Sequence, residues 1–222
     1  MNIRTFSQIA TLSLATALFA PLTVAQETTH SEHASADVAT AAVTAPELHK
    51  AMRALWHGHI VTTRDYALAV HVGDDAAASK AADAVVANAK DIAKAVAGFY
   101  GEAGGQGILE LLAGHWQGVQ ALTQAAKKAD HATEDATVKQ LADNAAAIAK
   151  FLATANPFLP EDAVRGALVM HTVDHKGQLD MMMTNAPQTQ QDESWARMQE
   201  HMGMIADTLA DGIAKQFPDK AK

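Results

Sequence analysis

The chain has 222 residues, 49% of them hydrophobic but only 5% aromatic, with 17 Lys and Arg against 25 Asp and Glu, 11 His and no Cys. Absence of cysteine excludes disulfides, thiolate nucleophiles, iron–sulfur clusters, cysteine zinc sites and covalent c-type haem. A net charge of −8 without basic runs argues against nucleic acid and anionic membrane surfaces as partners. Much of the apolar content is alanine, which favours closely packed helices over a sheet, so the expected fold class is all-α.

In chain order, Arg4, an apolar stretch from Ile9 to Ala20, Pro21 and the small residues Thr23 and Ala25 read as a signal peptide over 1–25, cleaved near Ala25. The apolar core is too short to cross a bilayer, and no later segment is long and apolar enough, so no membrane span is expected. This predicts a periplasmic or secreted protein. Residues 26–45 are rich in Ser, Thr, Ala and acids without a helical stripe, and predict a flexible linker that carries His30 and His33. From Pro46 to Pro218 the pattern predicts a helical bundle, followed by a tail over 219–222. Breaks at Gly73-Asp74-Asp75, Gly101 to Gly105, Asp130-His131, Asn156-Pro157 and Asn185-Ala186-Pro187 divide it into six helices of about 24 residues.

These segments repeat. His59, His115 and His171 follow one another at intervals of 56 residues, with Met52, Ile108 and Val164 each seven residues earlier and Gly58 and Gly114 preceding the first two. Asn88-Ala89-Lys90-Asp91-Ile92-Ala93-Lys94 corresponds to Asn144-Ala145-Ala146-Ala147-Ile148-Ala149-Lys150, and with one extra residue to His201-Met202-Gly203-Met204-Ile205-Ala206-Asp207. Three helical hairpins of about 56 residues account for this, none able to bury its apolar face alone. Counting from the turns sets His59 level with Asn88, His115 with Asn144 and His171 with His201.

These positions also face inward, since the residues one and two turns away from His59 and His115 are mostly apolar. His175 follows His171 by one helical turn, a spacing that lets one helix offer two imidazoles to one ion. Imidazoles gathered in a buried layer must be neutral, hydrogen-bonded to one another or coordinated. The candidate metal ligands are therefore His171, His175 and His201, then His59 and His115. The expected cofactor is a transition metal: copper, zinc or iron. Late methionines, among them Met198, Met202 and Met204, bring copper into that set, although methionine at helical spacing also fills cores. Two alternatives stand beside it: a metal-free structural or interaction module whose polar layer fixes helix register, and a non-covalent haem or small-ligand binder.

Other chemistry is not encoded. None of the predicted helices carries the Glu-x-x-His of ferritin-like di-iron centres, and His-Glu-x-x-His and phosphate-binding glycine loops are missing. No catalytic residue stands out. Arg64 is placed to reach a carboxylate such as Glu102 or Asp65, and Phe99-Tyr100-Gly101 reads as a hydrophobic helix end with a terminating glycine.

The run Leu55-Trp56-His57-Gly58-His59-Ile60-Val61-Thr62-Thr63-Arg64, with Phe99-Tyr100-Gly101-Glu102, Leu111-Leu112, Ala155-Asn156-Pro157 and Gly212 to Pro218, resembles a family of small bacterial exported helical proteins. That family carries a Leu-Trp-x-x-His-Val-x-Trp-Thr-Arg pattern, from which this chain departs at Thr62. The resemblance spans residues 48–218 and implies a helical fold and no particular activity. Labels such as glycosyltransferase or acetylglutamate kinase attached to similar sequences find no nucleotide-binding unit here.

Overall fold

The computed structural model describes residues 45–221, and everything in this region is helix or short connection. The predicted signal peptide, nearly all of the linker, His30 and His33 lie outside the described residues. Five helices follow in order: α1 (Pro46–Val72), α2 (Asp75–Lys127), α3 (His131–Ala155), α4 (Glu161–Met183) and α5 (Gln188–Gln216). Among the described residues no helix is long and apolar enough to cross a membrane.

The boundaries follow local chemistry. Pro46 opens α1, where its missing N–H costs nothing, and Gly73 closes it in the left-handed conformation at φ 77°. Asp74 caps α2 by accepting from the Ala77 amide at 2.9 Å, and Asp130 caps α3 by accepting from the Thr133 amide at 3.1 Å. Pro160 and Pro187 precede α4 and α5.

At the glycine-rich stretch the expected boundary between two helices is a bend inside α2, so that its two limbs count as one of the five helices. Instead of a loop over residues 101–105, α2 bends at the single residue Gly101, whose φ of 77° and ψ of 173° suit glycine alone. The limbs 75–100 and 102–127 then fold back on each other. A Cβ at Gly105 would lie 2.8 Å from the Ala97 Cβ and 2.9 Å from the Ala93 carbonyl oxygen. Glycine is used here for a sharp corner and a close approach, so the segment does not need to leave the helix.

Successive helices pack as neighbours, and α5 closes against α1. Two apolar clusters fill the interior. One contains Met52, Trp56, Ile92, Ile108, Ile148, Leu168 and Leu209, and the other Tyr66, Val85, Trp116, Val119, Leu122, Leu141 and Leu179. Each of α1, α2 and α4 contributes to both clusters, and on each helix a histidine lies near the change from one to the other: His59 between Trp56 and Ile60 of the first cluster and before Tyr66 of the second, His115 between Leu112 and Trp116, His171 between Leu168 and Leu179.

Candidate metal centre

Three of the helices turn histidines inward to one point. His59 on α1, His115 on α2 and His171 with His175 on α4 are all buried, none more than 6% exposed. One ring nitrogen from each lies within 4.8 Å of those of the other three. The closest rings are His171 and His175, one turn apart, with centroids 4.3 Å apart; His59 and His175 are the most distant at 6.2 Å. In a tetrahedral site with bonds of about 2.0–2.1 Å the nitrogens would stand about 3.4 Å apart, so small rotations of the four rings close the gap.

These imidazoles lack the partners that buried polar groups normally have. Both ring nitrogens of His115, both of His171 and Nε2 of His175 make no hydrogen bond. Burial, reinforced by the neighbouring His115, lowers the pKa of His59 from 6.5 to about 3; burial lowers His115 to about 4. Burial together with the mutual repulsion of the cluster holds His171 and His175 well below the usual range. At neutral pH the site therefore presents four uncharged imidazoles, the protonation state that coordinates a metal. A void of about 20 Å³ touches His59, His115, His171 and the thioether-bearing Met202, room for one water-sized guest.

Asn88 and Asn144, level with His59 and His115, each bond a backbone carbonyl. Asn88 Nδ2 donates to the Leu55 carbonyl at 3.0 Å and Asn144 Nδ2 to the Leu111 carbonyl at 3.1 Å, each carbonyl one turn before a histidine of the cluster. The glycine preceding each histidine gives the amide its room. A Cβ at Gly58 would lie 2.9 Å from Asn88 Nδ2, and one at Gly114 would lie 3.3 Å from Asn144 Nδ2. The Gly-His pairs of α1 and α2 thus set helix spacing at the level of the cluster. Thr63, also buried, donates to the His59 carbonyl at 2.8 Å.

Of the five sequence candidates, four converge. His201 stands apart from the four: its Nδ1 meets Asp174 Oδ2 at 2.6 Å, tying α5 to α4 beside His175. Asp174 was noticeable only as the residue before His175, and the pairing with a histidine 27 positions away needs the fold. The remaining described histidines lie off the layer. His49 contacts Asp207 and Asp211, His57 contacts Gln199, His71 contacts Asn185 and His131 contacts Glu134. Arg64 does not reach Glu102 or Asp65 as its ion-pair partner; its guanidinium lies 4.8 Å from the Trp195 ring centroid, a cation–π contact.

The other motif residues meet at a separate corner. Tyr100 Oη donates to Gln216 Oε1 at 3.0 Å and accepts from Asn156 Nδ2 at 2.8 Å, while Phe217 packs edge-on against the Tyr100 ring at 5.1 Å. Phe99-Tyr100-Gly101, Asn156-Pro157 and Gln216-Phe217 therefore lock the α2 bend to the α3–α4 connection and the end of α5. Met202 and Trp56, which line the void beside the histidines, carried no functional signal in the sequence beyond methionine abundance and the Leu-Trp motif. No family model, curated protein or solved structure matches the chain, so the chemistry rests on this geometry.

Proposed function

We propose that this is an exported protein that binds one transition-metal ion through His59, His115, His171 and His175, and that carriage or sensing of the ion is its role. The observation that carries the reading is the convergence of four buried, uncharged imidazoles, several of whose nitrogens have no hydrogen-bond partner. A polar layer built only to fix helix register would satisfy those nitrogens internally. A single enclosed site suits carriage or sensing better than bulk storage. Four neutral ligands bring no negative charge to offset the ion, so a singly charged ion is the least costly to enclose. With the Met202 thioether on the same void, Cu(I) suits the donor set best; zinc and iron also suit imidazole.

The same proposal includes the signal peptide over 1–25, membership of the small helical family, and descent of the bundle from three hairpins. The equivalent bonds of Asn88 and Asn144, 56 residues apart and each reaching back 33 residues, support the hairpin origin of the first two units. The two limbs of α2, divided at Gly101, would then belong to different units.

Titration of metal-free protein with Cu(I) under reducing conditions and with Zn(II), followed by desalting and elemental analysis, tests the binding claim. About one ion per chain is expected for the natural sequence and almost none for a His115→Leu/His171→Leu double variant. Equal, near-zero retention by both would refute it.

A further inference from the structure

A second internal space lies in the half of the bundle below the histidines. It is a cavity of about 290 Å³, walled by all five helices through Leu55, Ile108, Ile148, Leu168 and Leu209 among others. Protein interiors are otherwise close-packed, and an apolar cavity of about 150 Å³ already takes up benzene. The present one approaches the ~300–1,000 Å³ of small-molecule sites. Its wall is almost wholly hydrocarbon. Two of the polar side chains on it are already engaged: Tyr100 with Gln216 and Asn156, and His201 with Asp174. Trp56 also lines it, with its indole nitrogen enclosed rather than open to the space.

The cavity also has a rim. Ala163 and Ala167 of α4 and Met204 and Thr208 of α5 line it while being wholly or partly exposed, Met204 at 55%. Small residues on one helix and a flexible methionine on the other form an entrance between α4 and α5.

We propose that this cavity binds a small, uncharged, hydrocarbon-rich molecule, which enters between α4 and α5. A charged ligand is disfavoured because the apolar wall offers no free countercharge. The site does not rest on the metal, although Trp56, Ile148 and Leu168 border both the cavity and the void at the histidines, which sets the bound molecule next to the ion site.

The test uses N-phenyl-1-naphthylamine, an uncharged fluorophore, titrated into metal-free and metal-loaded protein, with nonane and nonanoate as competitors. Saturable uptake of one probe per chain is expected in both forms. Ala167→Phe, which plugs the rim at a partly exposed position, should weaken uptake at least tenfold while melting temperature and metal count stay unchanged. Nonane should compete at least tenfold better than the nonanoate anion, because the wall offers no free countercharge. No saturable uptake, or equal uptake by the Ala167→Phe variant, would overturn the cavity; equal or better competition by nonanoate would overturn the uncharged ligand class. Metal retention by the same preparations is read separately, so failure of either site leaves the other measurable.

Discussion

A buried histidine is an ordinary core residue until others join it. Four in mutual contact, with orphaned nitrogens, give the site its pH behaviour. In the unfolded chain an imidazole takes up a proton near pH 6.5, whereas His59 and His115 in the fold do so only near 3 and 4. Between those values the unfolded state binds more protons, so stability of the metal-free protein is fully present above about pH 6.5 and is lost as pH falls toward 4. Each such histidine steepens the decline by up to ~1.4 kcal/mol per pH unit. Urea unfolding of metal-free protein at pH 7, 6 and 5 should show a steep loss that His115→Leu makes shallower; a slope equal in both would contradict the burial account. Bound metal should be released over the same acidic range as protons compete for the ligands.

His201 provides a second prediction at this scale. It pairs with Asp174 and not with the four-histidine group, so His201→Ala should retain about one ion per chain in elemental analysis, with affinity reduced within the ~10–100-fold span of outer-sphere changes. Loss of all metal would place it among the ligands. Register singled out His59, His115 and His171, a rare residue recurring every 56 positions on apolar stripes, and the one-turn spacing after His171 added His175. The same register grouped His201 with them. What it could not supply was the competing carboxylate on the facing helix, since the sequence gives depth along a helix but not which neighbour a ring turns toward.

Among the elements, α2 shows where sequence reading stops. Clustered Gly101, Gly104, Gly105 and Gly107 look like a loop, since glycine both permits loops and weakens helices. In the fold only Gly101 leaves helical geometry, and the others are needed for contact: Cβ atoms at Gly104, Gly105 and Gly107 would each come within 2.6–2.8 Å of Tyr100, Ala97 and Phe151 atoms respectively. Composition cannot separate these two uses of glycine. Gly101→Ala should cost ~1–3 kcal/mol in chemical denaturation, because φ 77° with ψ 173° is essentially closed to residues with a Cβ. Gly98→Ala, in the same helix with open space around it, should instead be neutral or stabilise by up to ~1 kcal/mol. A larger cost at Gly98 than at Gly101 would contradict the bend. The turns at Gly73, Asp130 and Asn156-Pro157, by contrast, were legible because a left-handed glycine, a capping aspartate and a proline each have one local meaning.

For the whole molecule, the all-helical architecture was readable from alanine content and stripe periodicity, and the histidine layer from the repeat. The 290 Å³ cavity was not, since an apolar stripe looks the same whether it packs tightly or borders a void. The clamp between α1 and α5 was equally hidden: Arg53 and His49 meet Asp207, and the hydrogen bond from Arg53 leads the influences that hold its carboxyl near 2 against the opposing effect of burial. Such a depressed carboxylate stabilises the fold above about pH 4 and loses that contribution as pH falls toward 2, so it meets the histidine transition only at its acid end, where His59 titrates. Ion binding should also raise the melting temperature with metal concentration by linkage, and chelation should reverse it. X-ray absorption at the metal edge of loaded protein tests the central claim most directly. The result expected is a first shell dominated by three or four imidazole nitrogens at about 2.0–2.1 Å, collapsing in the His115→Leu/His171→Leu variant; an oxygen-dominated shell, or the same spectrum in both proteins, would contradict it.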